Sequence, residues 1–244
     1  MRRLLALLLV LPAAGWASHP LITEDTGVLG SGVWQLEVHG EQARDREAGI
    51  TTRALDASAV LSYGVTARAD LQLELPYQRE EAGTQTVKGR GDATLSLKWR
   101  FFERDGLSLV LKPDLHLPTG RDELGLGAGR SRWALNAVAG YAFGRMELLA
   151  HAGYLDNRNT LGERQSLRHA SIAALFSATD KLKLALDLGR DTDPDPASGA
   201  SLREVVLGLL YALSEDVDVG LGAKWGLSGA ADDRALLAGV KLRF

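Results

Sequence analysis

Hydrophobic and polar residues alternate one by one along much of the chain, most clearly in KLKLALDLGRD, from Lys181 to Asp191. Leucine fills the even positions from Leu182 to Leu188, whereas lysine, alanine, aspartate and glycine fill the odd ones. A period of two predicts an extended strand, because successive side chains leave a strand on opposite faces. The strand therefore has one apolar face, which either protein core or lipid must cover.

The same alternation predicts twelve strands, separated by connections that are alternately short and long. The strands are residues 31–44, 51–63, 65–77, 91–102, 106–117, 131–143, 145–156, 166–178, 181–190, 202–213, 216–226 and 233–244. Short connections centre on Gly64, 103–106, Gly144, 179–180 and 214–215, and long ones span 45–50, 78–90, 118–130, 157–165, 191–201 and 227–232. Tight turns on one rim and longer loops on the other are typical of an outer-membrane barrel. We therefore predict an all-β fold: a transmembrane antiparallel β-barrel of twelve strands.

The aromatic residues decide between a soluble sandwich and a membrane barrel. Thirteen of them fall on the apolar faces and towards strand ends, whereas the strand centres carry Leu, Val, Ala and Ile. Two aromatic girdles around an aliphatic band are expected where a barrel meets the two membrane interfaces. The apolar face is therefore predicted to meet lipid and the charged face a wet lumen. The thirteen are Trp34, Tyr63, Tyr77, Trp99, Phe101, Trp133, Tyr141, Phe143, Tyr154, Phe176, Tyr211, Trp225 and Phe244.

The N-terminus indicates export. Arg2 and Arg3 precede a short apolar run and then small residues up to Ala17, which is the order of a cleaved secretory signal peptide. We predict that residues 1–17 are this signal, residues 18–30 a periplasmic segment or a plug, and residues 31–244 the barrel. The alternative for residues 18–30 is a disordered lead-in. A net charge of −3 argues against a nucleic-acid partner, and the absence of cysteine excludes thiolate metal sites.

The polar faces supply candidate residues for the lumen. Acids and bases are present in similar numbers, so no ring of a single sign indicates ion selectivity. A narrow passage crossed by salt bridges is expected, and the alternative is that the charges only solvate and brace the barrel. The lumen-lining candidates are Glu37, His39, Asp56, Arg68, Asp70, Glu74, Lys98, Arg100, Lys112, Asp114, His116, Arg132, Glu147, His151, His169, Lys183, Asp187, Glu204 and Lys224. The histidines lie on different strands, and we predict neither a metal site nor a cofactor.

Two stretches carry a family resemblance. His19–Glu41 includes HPL, DTG and WQLE, and Lys112–Gly129 includes LPTG. In these motifs the chain resembles the family called putative MetA-pathway of phenol degradation, whose members are outer-membrane transporter-like proteins. The resemblance implies an exported bacterial outer-membrane barrel, a passive channel for small, aromatic or hydrophobic molecules. It implies no catalytic residues.

Two other functions remain open at this stage. Some outer-membrane barrels are lipid hydrolases, and His169, Ser171 and Asp187 are predicted to face one another across two adjacent strands. Nothing in the sequence marks an oxyanion hole, so we do not predict an enzyme. A structural barrel with a plugged lumen is the other alternative. Expected partners are outer-membrane lipid and lipopolysaccharide, the barrel-assembly machinery, through the C-terminal Phe244, and a small permeant of unknown identity.

Overall fold

The computed structural model describes residues 19–47 and 49–244; the predicted signal at 1–17 lies outside them. Thirteen strands follow one another in the described chain, with a single 3-10 turn at Asp122–Leu124. They are β1 (Trp34–Glu47), β2 (Ile50–Thr66), β3 (Ala69–Ala82), β4 (Gln85–Arg90), β5 (Thr94–Arg104), β6 (Leu107–His116), β7 (Arg132–Phe143), β8 (Met146–Asp156), β9 (Ser166–Ser177), β10 (Leu182–Thr192), β11 (Ser201–Ala212), β12 (Val217–Gly226) and β13 (Arg234–Arg243).

The strands close into an antiparallel barrel, which confirms the predicted fold class. Each strand pairs with its neighbour in sequence except β4 with β5, and β1 also pairs with β13. β4 and β5 both pair with β3: β4 pairs with residues 77–82 and β5 with residues 69–74. Together they therefore occupy one position in the wall. The barrel therefore has twelve strand positions. The backbone N–H of Trp34 donates to Phe244 O at 2.9 Å, and the N–H of Phe244 donates to Trp34 O at 2.9 Å, so the two ends of the barrel wall meet on the short-turn rim.

Exposure along the strands is the reverse of that in a soluble sheet. In β10, Leu184, Leu186 and Leu188 are 41–46% exposed, whereas Asp187 between them is fully buried. All thirteen aromatic residues on the apolar face are exposed except Tyr63, which is half-buried. A soluble fold would bury the leucines and solvate the aspartate, so the apolar face is the outer surface and the polar face is the lumen. No helix of the described residues is both long and apolar enough to cross a bilayer.

Three predicted connections are wrong. Residues 78–90 form the β3–β4 hairpin instead of a loop, and the predicted loop at 45–50 is largely strand, since β1 extends to Glu47 and β2 begins at Ile50. Both extensions project past the apolar band and carry polar residues on both faces, so the alternation that reveals a strand is lost there. The predicted turn at Gly64 lies at residues 67–68, because β2 continues through a bulge between Gly64 and Thr66.

The wall is interrupted at residues 91–93, between β4 and β5, where the loop 117–131 folds against it. The carboxylate of Asp92 accepts the backbone N–H groups of Gly120 at 3.0 Å and Ala128 at 2.8 Å. Arg132 also donates to Asp92, at 3.2 Å. Because Asp92 holds this loop, the loop lies against the long-loop mouth of the barrel.

Candidate functional site

The lumen contains the N-terminal segment, defined here as residues 19–30. No residue of the segment lies in a strand, and the closed wall pairs without it. It touches inward-facing residues of most strands instead, from β12 and β13 at His19 to β2 at Gly30. Polar contacts hold its middle part, and close contacts with glycine hold its two ends. The site is therefore an interface between a short peptide and the inner wall.

The first polar contact is made by Thr23, which is fully buried. The backbone N–H groups of Ile22 and Thr23 donate to Oδ2 of Asp187 at 2.8 and 2.7 Å. The Thr23 hydroxyl lies 2.7 Å from Oδ1 of the same carboxylate and 2.8 Å from the hydroxyl of Ser171. Asp187 thus has both oxygens occupied by the segment. Hydrogen bonds to an ionised carboxylate are stronger than hydrogen bonds between neutral groups.

The second polar contact joins two lysines of the wall to two acids of the segment. Lys98 Nζ lies 3.0 Å from Glu24 and 2.5 Å from Asp25, and Lys112 Nζ lies 2.6 Å from Glu24. Lys98 is only 4% exposed. Burial would raise the pKa of Glu24, but the ammonium groups of Lys112 and Lys98 hold that pKa well below its ordinary value. The segment thereby neutralises the charges of two lysines that the lumen shields from bulk water.

Glycines on the inner wall make room for the segment. A Cβ atom on Gly220 would lie 2.5 Å from His19 O, and one on Gly222 would lie 2.7 Å from Pro20 Cβ. Gly189 lies under Ile22 in the same way. Glycine inside a strand is typical of a place where another backbone approaches closely. The sequence shows these glycines on the polar faces of predicted strands, but we did not predict their role.

The imidazole of His19 ends the segment in a closely packed position. It stacks on His39 with ring centroids 4.7 Å apart, and its Nε2 atom is buried without a hydrogen-bond partner in the described chain. Burial, with a smaller contribution from His39, lowers the pKa of His19 to about 4. His19 is therefore held in its neutral form.

Leu21 covers an apolar patch of the inner wall. The patch beneath it contains Leu149, Leu175 and Leu210, with two alanines from β9 and β10. Elsewhere a cavity of about 210 Å³ remains between residues 24–29 of the segment and the wall of β1, β2, β3 and β5. The segment narrows the lumen without filling it.

Other charges of the lumen pair across strands. Lys224 lies 2.5 Å from Glu41 and 3.2 Å from Glu204, and Lys183 lies 3.2 Å from Glu147. These pairs are salt bridges across strands of the kind expected from the balanced charges. Lys241 lies 3.5 Å from Glu37, and Arg243 lies 2.7 Å from Asp218.

The segment forms hydrogen bonds or ion pairs with five of the predicted lumen residues: Lys98, Lys112, Asp187, Asp70, whose carboxylate accepts the N–H of Leu29 at 3.0 Å, and His151, which accepts the N–H of Glu24 at 3.4 Å. A sixth, His39, stacks on His19. Arg68 lies in the turn at residues 67–68 and is exposed there, because the bulge in β2 moves that turn; its placement in the lumen is wrong. Asp56 is exposed near the long-loop mouth. The interior positions that are buried or half-buried are Glu37, His39, Asp70, Glu74, Lys98, Arg100, Lys112, Asp114, His116, Arg132, Glu147, His151, His169, Lys183, Asp187, Glu204 and Lys224.

A serine, a histidine and an aspartate do come together, but with a different aspartate from the one predicted. His169 Nε2 lies 2.9 Å from Ser171 Oγ, and His169 Nδ1 lies 2.8 Å from Asp191. Asp187 binds Thr23 instead. Ser171 is buried beneath Thr23, facing the lumen and not the bilayer. Within residues 19–47 and 49–244, no group of three His, Cys, Asp or Glu residues is arranged to hold a metal ion.

Solved structures with this fold are outer-membrane barrels. The COG4313 outer membrane channel from Pseudomonas putida F1 superposes with a TM-score of 0.73 at 18% identity, covering 90% of this chain and 98% of that one. The KdgM porin gives 0.58 at 7% identity, covering 86% and 99%, and the NanC porin 0.54 at 11%, covering 85% and 98%. At such identities the likeness shows the fold alone. The curated proteins contain no match.

The family is shown by sequence. The profile of the family described as Putative MetA-pathway of phenol degradation matches residues 17–244, which is nearly the whole chain. The resemblance seen in the HPL, DTG, WQLE and LPTG motifs is thereby confirmed. This twelve-position outer-membrane barrel belongs to the Putative MetA-pathway of phenol degradation family.

Proposed function

We propose that the protein is a passive channel for small molecules in the bacterial outer membrane, with the N-terminal segment as its plug. One observation carries this proposal: the segment is held in the lumen by hydrogen bonds, ion pairs and side-chain packing, and by no strand pairing. Such contacts can be exchanged for water, whereas a strand in the ladder cannot leave without opening the wall. The barrel would thus survive movement of the plug.

The proposal also specifies the class of molecule that passes through the channel. Withdrawal of Leu21 would uncover Leu149, Leu175 and Leu210 on an inner wall that also carries many charged and polar side chains. An aromatic or hydrophobic molecule with a polar group could cross such a mixed surface, because each of its faces finds a matching one. The family description, which refers to phenol degradation, supports the same class.

Liposome swelling and single-channel conductance test both parts of the proposal. We expect deletion of residues 19–30 to raise the conductance several-fold and to speed the entry of aromatic acids more than that of sugars of similar size. Asp180→Asn with Glu215→Gln is the control: both residues are exposed in short turns, and the change in charge equals the loss of Glu24 and Asp25. Unchanged conductance after the deletion would reject the plug.

A structural barrel with a sealed lumen makes a different forecast. Neither the intact protein nor the deletion variant would then conduct ions or swell liposomes, although both would fold. Absence of any conductance in the deletion variant would therefore reject the channel itself and favour the structural barrel.

A lipid hydrolase is the other alternative, favoured only by the contact between Ser171 and His169. Ser171 lies beneath Thr23 inside the lumen, where a bilayer phospholipid does not reach it. We expect no phospholipase or deacylase turnover from the refolded protein or from the deletion variant. Turnover that Ser171→Ala abolishes would overturn the assignment as a channel.

Export and assembly complete the proposal. Residues 1–17 would direct secretion and be cleaved. The terminal Phe244, exposed and paired with Trp34, would present its ring to the barrel-assembly machinery. Removal of Phe244 is expected to lower the amount of folded protein in outer-membrane fractions; an unchanged amount would exclude this role.

A further inference from the structure

Three arginines form a row across the outer surface of the barrel, near the rim of the long loops. Arg44 of β1 lies directly opposite Arg53 of β2 and also directly opposite Arg234 of β13. All three side chains are exposed on the face that carries the leucines. Directly opposed residues on neighbouring strands are about 5 Å apart, so the row spans about 10 Å. It is called here the arginine row.

Nothing in the described chain balances this charge. None of the three arginines forms a salt bridge or a side-chain hydrogen bond within residues 19–47 and 49–244. Glu81 is opposite Arg53, but its carboxylate is paired with Arg79. Like charges directly opposed in a sheet are destabilising, so an anion from outside the chain would stabilise three arginines in a row.

The surroundings of the arginine row suit an amphiphile. The row itself lines a groove of about 430 Å³, whose other walls include the apolar Ala223, Trp225 and Leu236 and the polar Gln42 and Lys224. Leu236 is 68% exposed, which places a bare aliphatic surface immediately below the guanidinium groups. The ligand therefore needs acyl chains for the groove and negative charge for the row.

The position of the row in the membrane identifies the leaflet. Both ends of the barrel wall, Trp34 and Phe244, lie at the opposite rim with the short turns. In outer-membrane barrels that rim faces the periplasm and the long-loop rim faces the cell exterior. The arginine row is thus at the level of the outer leaflet headgroups. A second pair of directly opposed arginines lies on the same rim, Arg190 on β10 and Arg203 on β11.

We infer that the arginine row is a binding site for the bisphosphorylated glycolipid anchor of lipopolysaccharide, lipid A. Guanidinium groups bind phosphate with two parallel hydrogen bonds, which suits arginine more than lysine to this task. Three guanidinium groups over about 10 Å exceed what one phosphate can occupy, so a ligand with two phosphates fits better than a phospholipid with one. The acyl chains then lie along Leu236 and Ala223 in the groove.

A titration of lipid A into the folded protein in neutral detergent, followed by native mass spectrometry, tests the site. The variant is Arg44→Gln, Arg53→Gln and Arg234→Gln together, which removes the charge and keeps a polar side chain. We expect its affinity for lipid A to fall at least about tenfold. The matched control is Arg68→Gln, Arg104→Gln and Arg145→Gln, three exposed arginines on the short-turn rim, and it should bind as the unchanged protein does.

Two further ligands distinguish the outcomes. Dephosphorylated lipid A should bind the unchanged protein as weakly as lipid A binds the row variant, and phosphatidylglycerol should bind several-fold less tightly than lipid A. Equal affinity of both proteins for lipid A would overturn the inference, and so would equal affinity for phosphatidylglycerol. If the row variant does not fold, the salt dependence of binding to the unchanged protein tests the site. Higher salt should weaken binding of lipid A through screening and leave binding of the dephosphorylated lipid unchanged. No effect of salt would reject the site.

Discussion

Lys98 Nζ lies 2.5 Å from Oδ1 of Asp25, so a buried lysine of the barrel wall is neutralised by residues that precede the first strand. Glu24 adds a second carboxylate at 3.0 Å. A lysine in this position would lose much of its hydration without a partner. The wall therefore depends on the N-terminal segment for charge balance, and the segment depends on the wall for its position.

Lys98→Met should weaken docking of the segment while leaving the barrel closed. It removes two charge-assisted hydrogen bonds, each contributing about 1.5–3 kcal/mol. Lys112 still holds Glu24, so the loss is partial. We expect more frequent opening in single-channel records and faster cleavage of the segment by protease.

Lys181→Met is the control for this change, since Lys181 is exposed in a short turn outside the lumen. It should leave both the opening frequency and the cleavage rate unchanged. If Lys98→Met behaves in the same way, the ion pairs at Glu24 and Asp25 do not hold the segment.

Acid should release the segment through His19. Its pKa is about 4 when docked, below the ordinary 6.5, because burial and, less strongly, His39 disfavour the charged ring. A group with a lowered pKa contributes stability that is complete above its ordinary pKa and is lost as the pH falls towards the docked value. Opening should therefore increase between pH 6.5 and about 4. The other charged groups near His19 are Glu37 and Lys224.

His19→Phe keeps a ring to stack on His39 and removes the titration. From about pH 7.5 to about pH 5 the conductance of this variant should change less than that of the unchanged protein; Asp70 and His151, which also bind the segment, keep their own titration. A response to pH equal to that of the unchanged protein would assign the effect to another group.

The sequence predicts the wall of this barrel well, because one physical rule governs it. Alternation places Leu184, Leu186 and Leu188 on one face, and contact with lipid stabilises the corresponding apolar face of every strand. The rule fails where lipid is absent. Residues 78–90 lie beyond the bilayer, where both faces of a hairpin meet water and no alternation is selected.

The interior is predicted less well, because parity gives the direction of a side chain but not its partner. Asp187 and His169 both face inward as predicted, yet Asp187 binds Thr23 and His169 binds Asp191. The segment supplies the missing information, since its path is set by long-range contacts that no local pattern encodes. The inward glycines, such as Gly222, were the available signal for that path.

Gly222→Val should displace the segment by steric exclusion. The new Cβ would lie 2.7 Å from Pro20 Cβ, closer than packed carbon atoms approach. Valine suits a strand, so the ladder between β11 and β12 should survive. We expect conductance to rise towards that of the variant lacking residues 19–30, with no additional rise when the two changes are combined.

Gly199→Val is the matched control, because a Cβ on Gly199 would meet nothing within 4 Å. It should conduct as the unchanged protein does. A rise in conductance with Gly222→Val that persists in full after deletion of the segment would mean that the substitution distorts the wall instead.

Lipid contact of the outer face is tested by one substitution at two depths. Leu186→Arg lies in the middle of β10, where Leu186 is 46% exposed on the apolar surface, and Leu227→Arg lies at the long-loop rim just after β12. A guanidinium group at the bilayer midplane costs about 2–4 kcal/mol of folding free energy, and about 0–1 kcal/mol near the interface. Denaturant unfolding in liposomes should show this difference. Equal costs at the two positions would mean that water, and not hydrocarbon, covers the leucines.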